Sequence, residues 1–302
     1  MVLLLGATAV GKSALLEQLA SHLAAYRAEV INADSRQVYR GMDIGTAKPS
    51  RRLRRSLPHH LIDVVDPDVQ FTAGDFVRAA ETLVEQIRGR GGIPLVAGGA
   101  AFYLWSFLHG LSAAPPADAE LRRELQERAR TEGAAALHRE LAVHDPATAA
   151  RLPTGDTNRI VRALEVHRLT GQPLSSFRSP RAVRRDYAVL VSGLQRERPE
   201  LYARIDRRVE QMFAVGLAAE VASLRARGYT SDTPGMRSIG YAEFFRELSP
   251  PACRDLIRRN SRRFAKRQQT FFRRFPNVHW FPATDADGVA AALQRFLKRC
   301  SA

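Results

Sequence analysis

Apolar positions in the first hundred residues change their spacing several times. Val2 to Leu5 is a continuous apolar run, the pattern of a short strand buried on both faces, and it stops at Gly6. From Ser13 to Tyr26 the side chains of Leu15, Leu16, Leu19, Ala20 and Leu23 are spaced to form one face of a helix. Glu29 to Asn32 predicts a second strand, ending at Asp34. Leu61 to Val65 and Ile93 to Ala97 predict two more, with a helix over Phe76 to Arg88 between them and Gly98-Gly99 closing the last. Short β-rich runs alternating with helices predict a parallel α/β sheet. Ligands of open sheets of this kind bind beyond the carboxyl ends of the strands, so Gly6 to Ser13, Asp34 and Gly98 to Ala100 are expected to converge there.

After Ala113-Ala114-Pro115-Pro116 the chain turns helical and rich in alanine and arginine, with helices predicted over Leu121 to Arg130 and Thr157 to Leu169. We read residues 116–185 as an inserted, mainly helical domain and residues 1–115 and 186–302 as the core. Tyr187 to Ser192 predicts a strand returning to that core, and Val278 to Phe281 one more short strand, with mostly helix between them. No internal repeat is present.

Composition adds a charge argument. The 302 residues carry a formal net charge of +15, almost wholly as arginine, since Lys12, Lys48, Lys266 and Lys298 are the only lysines. Arginine's planar fork suits phosphate, and a basic surface raises the encounter rate with nucleic acid; arginine-favouring codon usage gives the same excess, so charge alone names no partner. Cys253 and Cys300 are too few for a disulfide framework or a four-ligand zinc site, which fits a reducing cytoplasm. The apolar start is too short for a signal peptide or a membrane span, so no membrane partner is expected.

Gly6-Ala7-Thr8-Ala9-Val10-Gly11-Lys12-Ser13 matches the G-x-x-x-x-G-K-S phosphate loop and lies between a predicted strand and a predicted helix, as its mechanism requires. Loop amides and the helix N-terminus face the phosphates, Lys12 supplies a point charge, and the Ser13 hydroxyl is expected to ligate Mg²⁺. The fold class expected is α/β, a P-loop NTPase-like parallel sheet core with an inserted mainly helical domain. The loop reads phosphoryl oxygens and does not say what lies beyond them.

The run from Asp34-Ser35-Arg36-Gln37-Val38-Tyr39-Arg40-Gly41 through Met42-Asp43-Ile44-Gly45-Thr46-Ala47-Lys48-Pro49, with the P-loop before it, closely resembles the bacterial-type tRNA dimethylallyltransferase (isopentenyltransferase) family. The likeness continues in Pro58-His59-His60-Leu61-Ile62-Asp63, in the Asp156 to Glu165 run, in Ser238-Ile239-Gly240-Tyr241 and in Ala265-Lys266-Arg267-Gln268, covering nearly the whole chain. This resemblance implies a P-loop that binds dimethylallyl diphosphate with Mg²⁺, and transfer of the prenyl group to N6 of the adenosine 3′ of the anticodon. It implies tRNAs reading codons that begin with U, a cytoplasmic enzyme and a monomer.

An exocyclic adenine amine is a poor nucleophile that must lose a proton as its C–N bond forms, so a carboxylate in hydrogen-bond reach is needed. The resemblance gives that part to Asp34, with Lys12 and Thr8 as the other catalytic residues; an ordinary strand-end carboxylate, or the acceptor-side carboxylate of a P-loop kinase, would sit at the same position. Arg204 and Arg208, one turn apart on a predicted helix, match family arginines that complete a diphosphate clamp, although a solvated basic face has the same spacing.

A stacked adenine cannot reach a P-loop, so the base must be extruded and its neighbours held by a second surface on the anticodon stem-loop. The resemblance implies that Asp34, Ser35, Arg36 and Gln37, then Ala100 and Arg122, then Asn158, Arg159, Ile160, Val161 and Arg162, and finally Arg237, Ser238, Ile239, Gly240, Tyr241 and Ala242 contact this RNA. Ala100 stands where the family carries threonine, so a hydroxyl near the target nucleotide is missing. Further basic runs occupy Arg51 to Arg55, Arg181 to Arg185 and Arg258 to Arg274; we read Phe264, Phe271, Phe272 and Phe275 within or beside the last as one buried core stripe. A small-molecule kinase would share the P-loop but has no need of an extended cationic face, and an RNA-binding scaffold has no need of an intact Lys12 and Ser13.

Overall fold

The computed structural model of the protein describes residues 1–177, 182–184 and 186–301. Its chain divides into two compact units, Met1–Leu108 with Arg184–Ala302, and His109–Val183. In the first unit the order is β1 (Val2–Leu5), α1 (Lys12–Gln18), α2 (Ala20–Ala25), β2 (Glu29–Ala33), α3 (Arg51–Ser56), β3 (His59–His60), α4 (Ala73–Gly89), β4 (Pro94–Gly98) and α5 (Ala101–His109). After the helices of the second unit, α6 (Ala119–Thr131), α7 (Ala134–His144), α8 (Pro146–Ala149) and α9 (Thr157–Thr170), the chain returns as β5 (Leu190–Gln195), α10 (Arg198–Ala214), α11 (Leu217–Ala226), α12 (Pro250–Phe272), β6 (His279–Pro282) and α13 (Ala286–Ser301).

The strands form one sheet in the order β3-β2-β4-β1-β5-β6, and every pairing is parallel. The α/β fold class expected from the sequence is therefore what the chain adopts. All of β1 and β4 is buried, which is why those strands read as unbroken apolar runs. Because all strands point the same way, Leu5, Ala33 and Gly98 bring their carboxyl ends to a common edge, with β1 flanked by β4 and β5.

The expected strand over Leu61 to Val65 is corrected. The strand there is His59–His60, and it ends because Leu61 and Asp63 adopt the left-handed conformation, with φ of 61° and 58°. Beyond it only Val65 keeps a bridge, to Tyr39. The expected strand at Tyr187 likewise begins three residues later at Leu190, and the helix read as continuous from Ser13 to Tyr26 divides at Leu19. Of the phenylalanines read as one buried stripe, Phe272 and Phe275 are buried, whereas Phe264 is 37% exposed under Arg267 and Phe271 packs edge-on against Trp105. In the basic run Arg181 to Arg185, Arg181 and Arg185 lie outside the described residues. Among the described residues no helix is long and apolar enough to cross a membrane.

The second unit is built on α9, whose Ile160, Val161, Ala163 and Leu164 pack with Leu125 of α6 and Leu137 and Leu141 of α7. Within this apolar core Glu165 is 0% exposed. Its carboxylate accepts from Arg122 at 2.6 Å, Arg162 at 2.7 Å and the Asp118 N–H at 2.8 Å, and Arg162 also donates to the Pro115 carbonyl. Removing one partner of such a group leaves uncompensated charge out of water. Glu165→Ala is expected to destabilise this unit by about 3 kcal/mol, and Glu165→Gln by less, measured as loss of amide hydrogen-exchange protection within residues 109–183.

Candidate active site

The loop from Gly6 to Lys12 turns from β1 into α1 through left-handed backbone at Ala9 (φ 60°) and through Gly11 (φ 125°). Side chains from the far end of the chain hold this turn from outside. Arg196 donates to the Val10 carbonyl at 2.6 Å, Arg204 to the Ala9 carbonyl at 3.0 Å, and Arg208 to the Thr8 hydroxyl at 3.2 Å. With two successive carbonyls engaged outward, their peptide planes are fixed, which is what a phosphate-binding loop needs from its amides. Lys12 lies over the same loop, donating to the carbonyls of Gly6 at 2.7 Å and Ala7 at 3.1 Å.

Asp34 follows directly on β2. Its Oδ1 accepts from the backbone N–H of Arg36 at 2.9 Å and Gln37 at 3.4 Å, an Asx turn that fixes the carboxylate and engages one of its two oxygens. Its charge is felt by two half-buried cations. Burial pushes the Lys12 ammonium down from its ordinary 10.5 to about 8, with Asp34 pulling it up and Arg208 pushing it further down. Burial also lowers Arg208, again opposed by Asp34. Two desolvated cations next to one carboxylate leave the pocket short of negative charge, the condition for binding an anion.

Ala100, half-buried, closes the turn after β4 by donating its N–H to the Ala33 carbonyl at 3.0 Å. Ser35 is half-buried and Arg36 is exposed, with its guanidinium on the Pro234 carbonyl at 3.4 Å. The Gln37 side chain, expected to meet RNA, is instead buried and donates to the carbonyls of Thr46 and Ala47, both at 3.1 Å. Further along, Arg237 is exposed and Ile239 and Ala242 are half-buried, but Ser238 and Tyr241 are buried and turned inward. Ser238 donates to the Gly235 carbonyl, the Gly240 N–H to Glu243, and Tyr241 to Glu220 at 2.6 Å. Burial and the Glu220 carboxylate both push the Tyr241 hydroxyl up, so it stays a donor.

In the second unit Asn158 and Arg159 face solvent, Arg159 with 72% of its side chain exposed and loosely paired with Asp156. Ile160 and Val161 point into the helical core, and Arg122 and Arg162 are held by Glu165.

Residues not singled out by sequence reasoning also shape the site. Glu220 accepts from the successive N–H groups of Asp43, Ile44 and Gly45 at 2.9, 2.8 and 3.2 Å, so the loop after Asp34 wraps around a carboxylate supplied by α11. Gly45 is required there, because a Cβ would lie 2.4 Å from the Tyr241 ring. Lys48 bridges Asp43 and Asp63 and donates to the Tyr39 carbonyl. Nothing in their spacing marks Glu220 or Arg196; Gln268, which accepts from the Thr8 N–H, ends the Ala265 to Gln268 run that carries part of the resemblance.

Ser13 is exposed at the start of α1. Among the described residues there is no group of three or more His, Cys, Asp or Glu side chains set to hold a metal. A Mg²⁺ that arrives with a diphosphate takes most of its ligands from phosphate and water, so a single hydroxyl fits that need. On the outward side of α12, Arg263, Lys266, Arg267, Thr270, Phe271 and Arg274 line a cationic groove.

Comparison with known proteins gives a consistent picture. The IPP transferase family model matches residues 37–275. A tRNA dimethylallyltransferase of Geobacter sulfurreducens is 48% identical over 303 residues, covering 98% of this chain and 96% of that protein. One from Chloroflexus aurantiacus is 43% identical over 290 residues, covering 93% and 96%. The crystal structure of the full-length tRNA isopentenylpyrophosphate transferase from Bacillus halodurans superposes with a TM-score of 0.70 at 36% identity, covering 100% of this chain and 99% of that one. A eukaryotic dimethylallyltransferase acting on tRNA superposes with a TM-score of 0.78 at 26% identity, covering 95% of this chain and 74% of that one.

The Lys12 environment has a pH consequence. Its folded-state pKa lies below the ordinary value, so the charged form is lost as pH rises through about 8, and folding gains stability between there and 10.5 as the unfolded chain holds the extra proton. Affinity for inorganic pyrophosphate is expected to fall above about pH 8. Calorimetric titration of the wild type against Lys12→Arg cancels the ligand's own ionisation; the ratio of the two affinities should break near that pH.

Proposed function

Because the chain belongs to the IPP transferase family of tRNA dimethylallyltransferases and is a transferase that prenylates tRNA, we propose that its donor is dimethylallyl diphosphate and its acceptor N6 of the adenosine immediately 3′ of the anticodon. The observation that supports this reading is the meeting of the P-loop, two desolvated cations and the Asp34 carboxylate at the carboxyl edge of one parallel sheet.

In this mechanism the loop amides, Lys12 and Arg208 hold the diphosphate. As the allylic C–O bond breaks, charge grows on the leaving diphosphate, so these fixed donors stabilise the transition state more than the ground state. Ser13, together with the phosphates, would hold a Mg²⁺ that would supply additional charge neutralisation. The adenine N6 attacks the allylic carbon and Asp34 accepts the proton it sheds, through the carboxylate oxygen that the Asx turn leaves open. The Thr8 hydroxyl, which accepts from Arg208 at 3.2 Å, serves in this reading as a donor to the diphosphate. Arg204 serves through the Ala9 carbonyl, holding the loop rather than the ligand.

The RNA side rests on exposed groups. Arg36, Arg237 and the α12 groove offer phosphate contacts and stacking surface in the first unit, and Asn158 and Arg159 do so in the second. We further propose that the substrates are tRNAs reading codons that begin with U, and that the enzyme works as a monomer in the cytoplasm, where its substrate is. With Ala100 lacking a hydroxyl, Ser35 or a water meets the flipped nucleotide there.

Incubation of the protein and Mg²⁺ with unmodified anticodon stem-loop RNA, radiolabelled dimethylallyl diphosphate in one sample and γ-labelled ATP in another, tests the reaction. Label is expected to pass from the prenyl donor to RNA; label passing only from ATP would replace this reading with a kinase. Asp34→Ala is expected to bind the same RNA with unchanged affinity while turnover falls by about 10²- to 10⁴-fold, and near-normal turnover removes Asp34 from the role of base.

A further inference from the structure

Gln268 projects from α12 into the first unit and is 5% exposed. Its side-chain amide ends on backbone groups belonging to different strand ends. Oε1 accepts from the Thr8 N–H at 2.8 Å, and Nε2 donates to the Gly99 carbonyl at 2.7 Å. The orientation of the amide is determined by these partners, since only its oxygen accepts and only its nitrogen donates. Gly99 has room for no side chain: a Cβ would lie 2.7 Å from Gln268 Nε2 and 3.7 Å from Lys12 Nζ.

From these contacts, and resting on the donor reading above, we propose that Gln268 is a positioning residue for the diphosphate loop. It fixes the separation of the loop after β1 from the turn after β4, and it holds the backbone of Thr8, whose hydroxyl meets Arg208. The chemistry at this point demands a neutral group with both polarities. Arg196 and Arg204 anchor carbonyls of the loop, but a guanidinium cannot accept from an N–H. A carboxylate could accept from Thr8 but would oppose the Gly99 carbonyl and set a negative charge beside Lys12 and the departing diphosphate. Glutamine satisfies both backbone groups without charge. Its helix is itself braced, by ion pairs of Arg262 with Asp206 and of Arg258 with Glu210, so the tie is anchored at both ends.

Gln268→Met, of similar length but without hydrogen bonds, and Gln268→Glu test the proposal. Four quantities are measured against wild type: the melting transition, the dissociation constant of anticodon stem-loop RNA, that of inorganic pyrophosphate, and kcat/KM for dimethylallyl diphosphate. Both variants are expected to fold and to keep RNA affinity within about twofold, while pyrophosphate affinity and kcat/KM fall by roughly 10- to 100-fold, the size of effect that small misplacements of binding groups produce. In Gln268→Glu the deficit is expected to shrink as pH falls, because a protonated carboxyl again offers an acceptor to Thr8 and a donor to Gly99. Pyrophosphate affinity and kcat/KM equal to wild type overturn the proposal. So does a parallel loss of RNA and pyrophosphate binding, or failure of both variants to fold, either of which assigns Gln268 to core stability alone. If wild type itself moves no prenyl group, the donor reading fails while the pyrophosphate comparison still decides the part of Gln268.

Discussion

A methyl group on Gly98 would sit 1.9 Å from the Ala33 carbonyl oxygen, so the ends of β2 and β4 can lie against each other only because that position has no side chain. The contact is sealed by the Ala100 N–H, which donates to the same carbonyl. From this close approach the rest of the site follows. Asp34 is the residue after Ala33, Gly99 the residue after Gly98, and Gly99 borders Lys12 across the neighbouring strand end. A bulkier residue would part β2 from β4 and carry the carboxylate away from the phosphate loop. The electrostatics build on that geometry: Lys12 and Arg208 are partly desolvated beside a single carboxylate, an arrangement that favours the arrival of an anion.

How well each strand could be read depends on how it is buried. β1 and β4 are legible because they are covered on both faces and appear as continuous apolar runs closed by glycine, and β2 because Val30 and Ile31 form a short β-branched apolar pair ahead of Asp34. β3 was misplaced because its pairing residues are histidines, while the apolar run after it enters left-handed backbone at Leu61. Tyr187 looks like strand but serves as a side-chain partner, donating to Glu85 and stacking with Arg88 and Arg184. The division between α1 and α2 at Leu19 left no trace in the pattern, since Leu19 and Ala20 continue the helical spacing across it.

The site was legible to the extent that its parts are local. The phosphate loop and Asp34 are short runs whose chemistry is written in adjacent residues. What braces them comes from residues 186 to 260 positions away, Arg196 and Gln268 among them, and such contacts leave no spacing to detect. Within the runs that the resemblance assigns to RNA contact, Gln37, Ile160, Val161, Ser238 and Tyr241 are buried. A helix or loop that touches a ligand on one side must pack on the other, and a linear motif does not distinguish the two.

The run from Asp34 to Pro49 illustrates that division. Beyond Arg36 its side chains and amides serve mainly the fold, with Gln37 on the Thr46 and Ala47 carbonyls, Thr46 on Met42, Lys48 between aspartates, and the Asp43 to Gly45 amides on Glu220. Purifying selection on such a stretch would act on architecture more than on chemistry. A descendant that had lost its reaction but still needed the shell, for instance to hold RNA, would go on displaying most of the signature. On the mechanism proposed above, decay of function would then surface first at Asp34, Lys12 and Arg208, the positions by which to tell a living enzyme of this lineage from a relic.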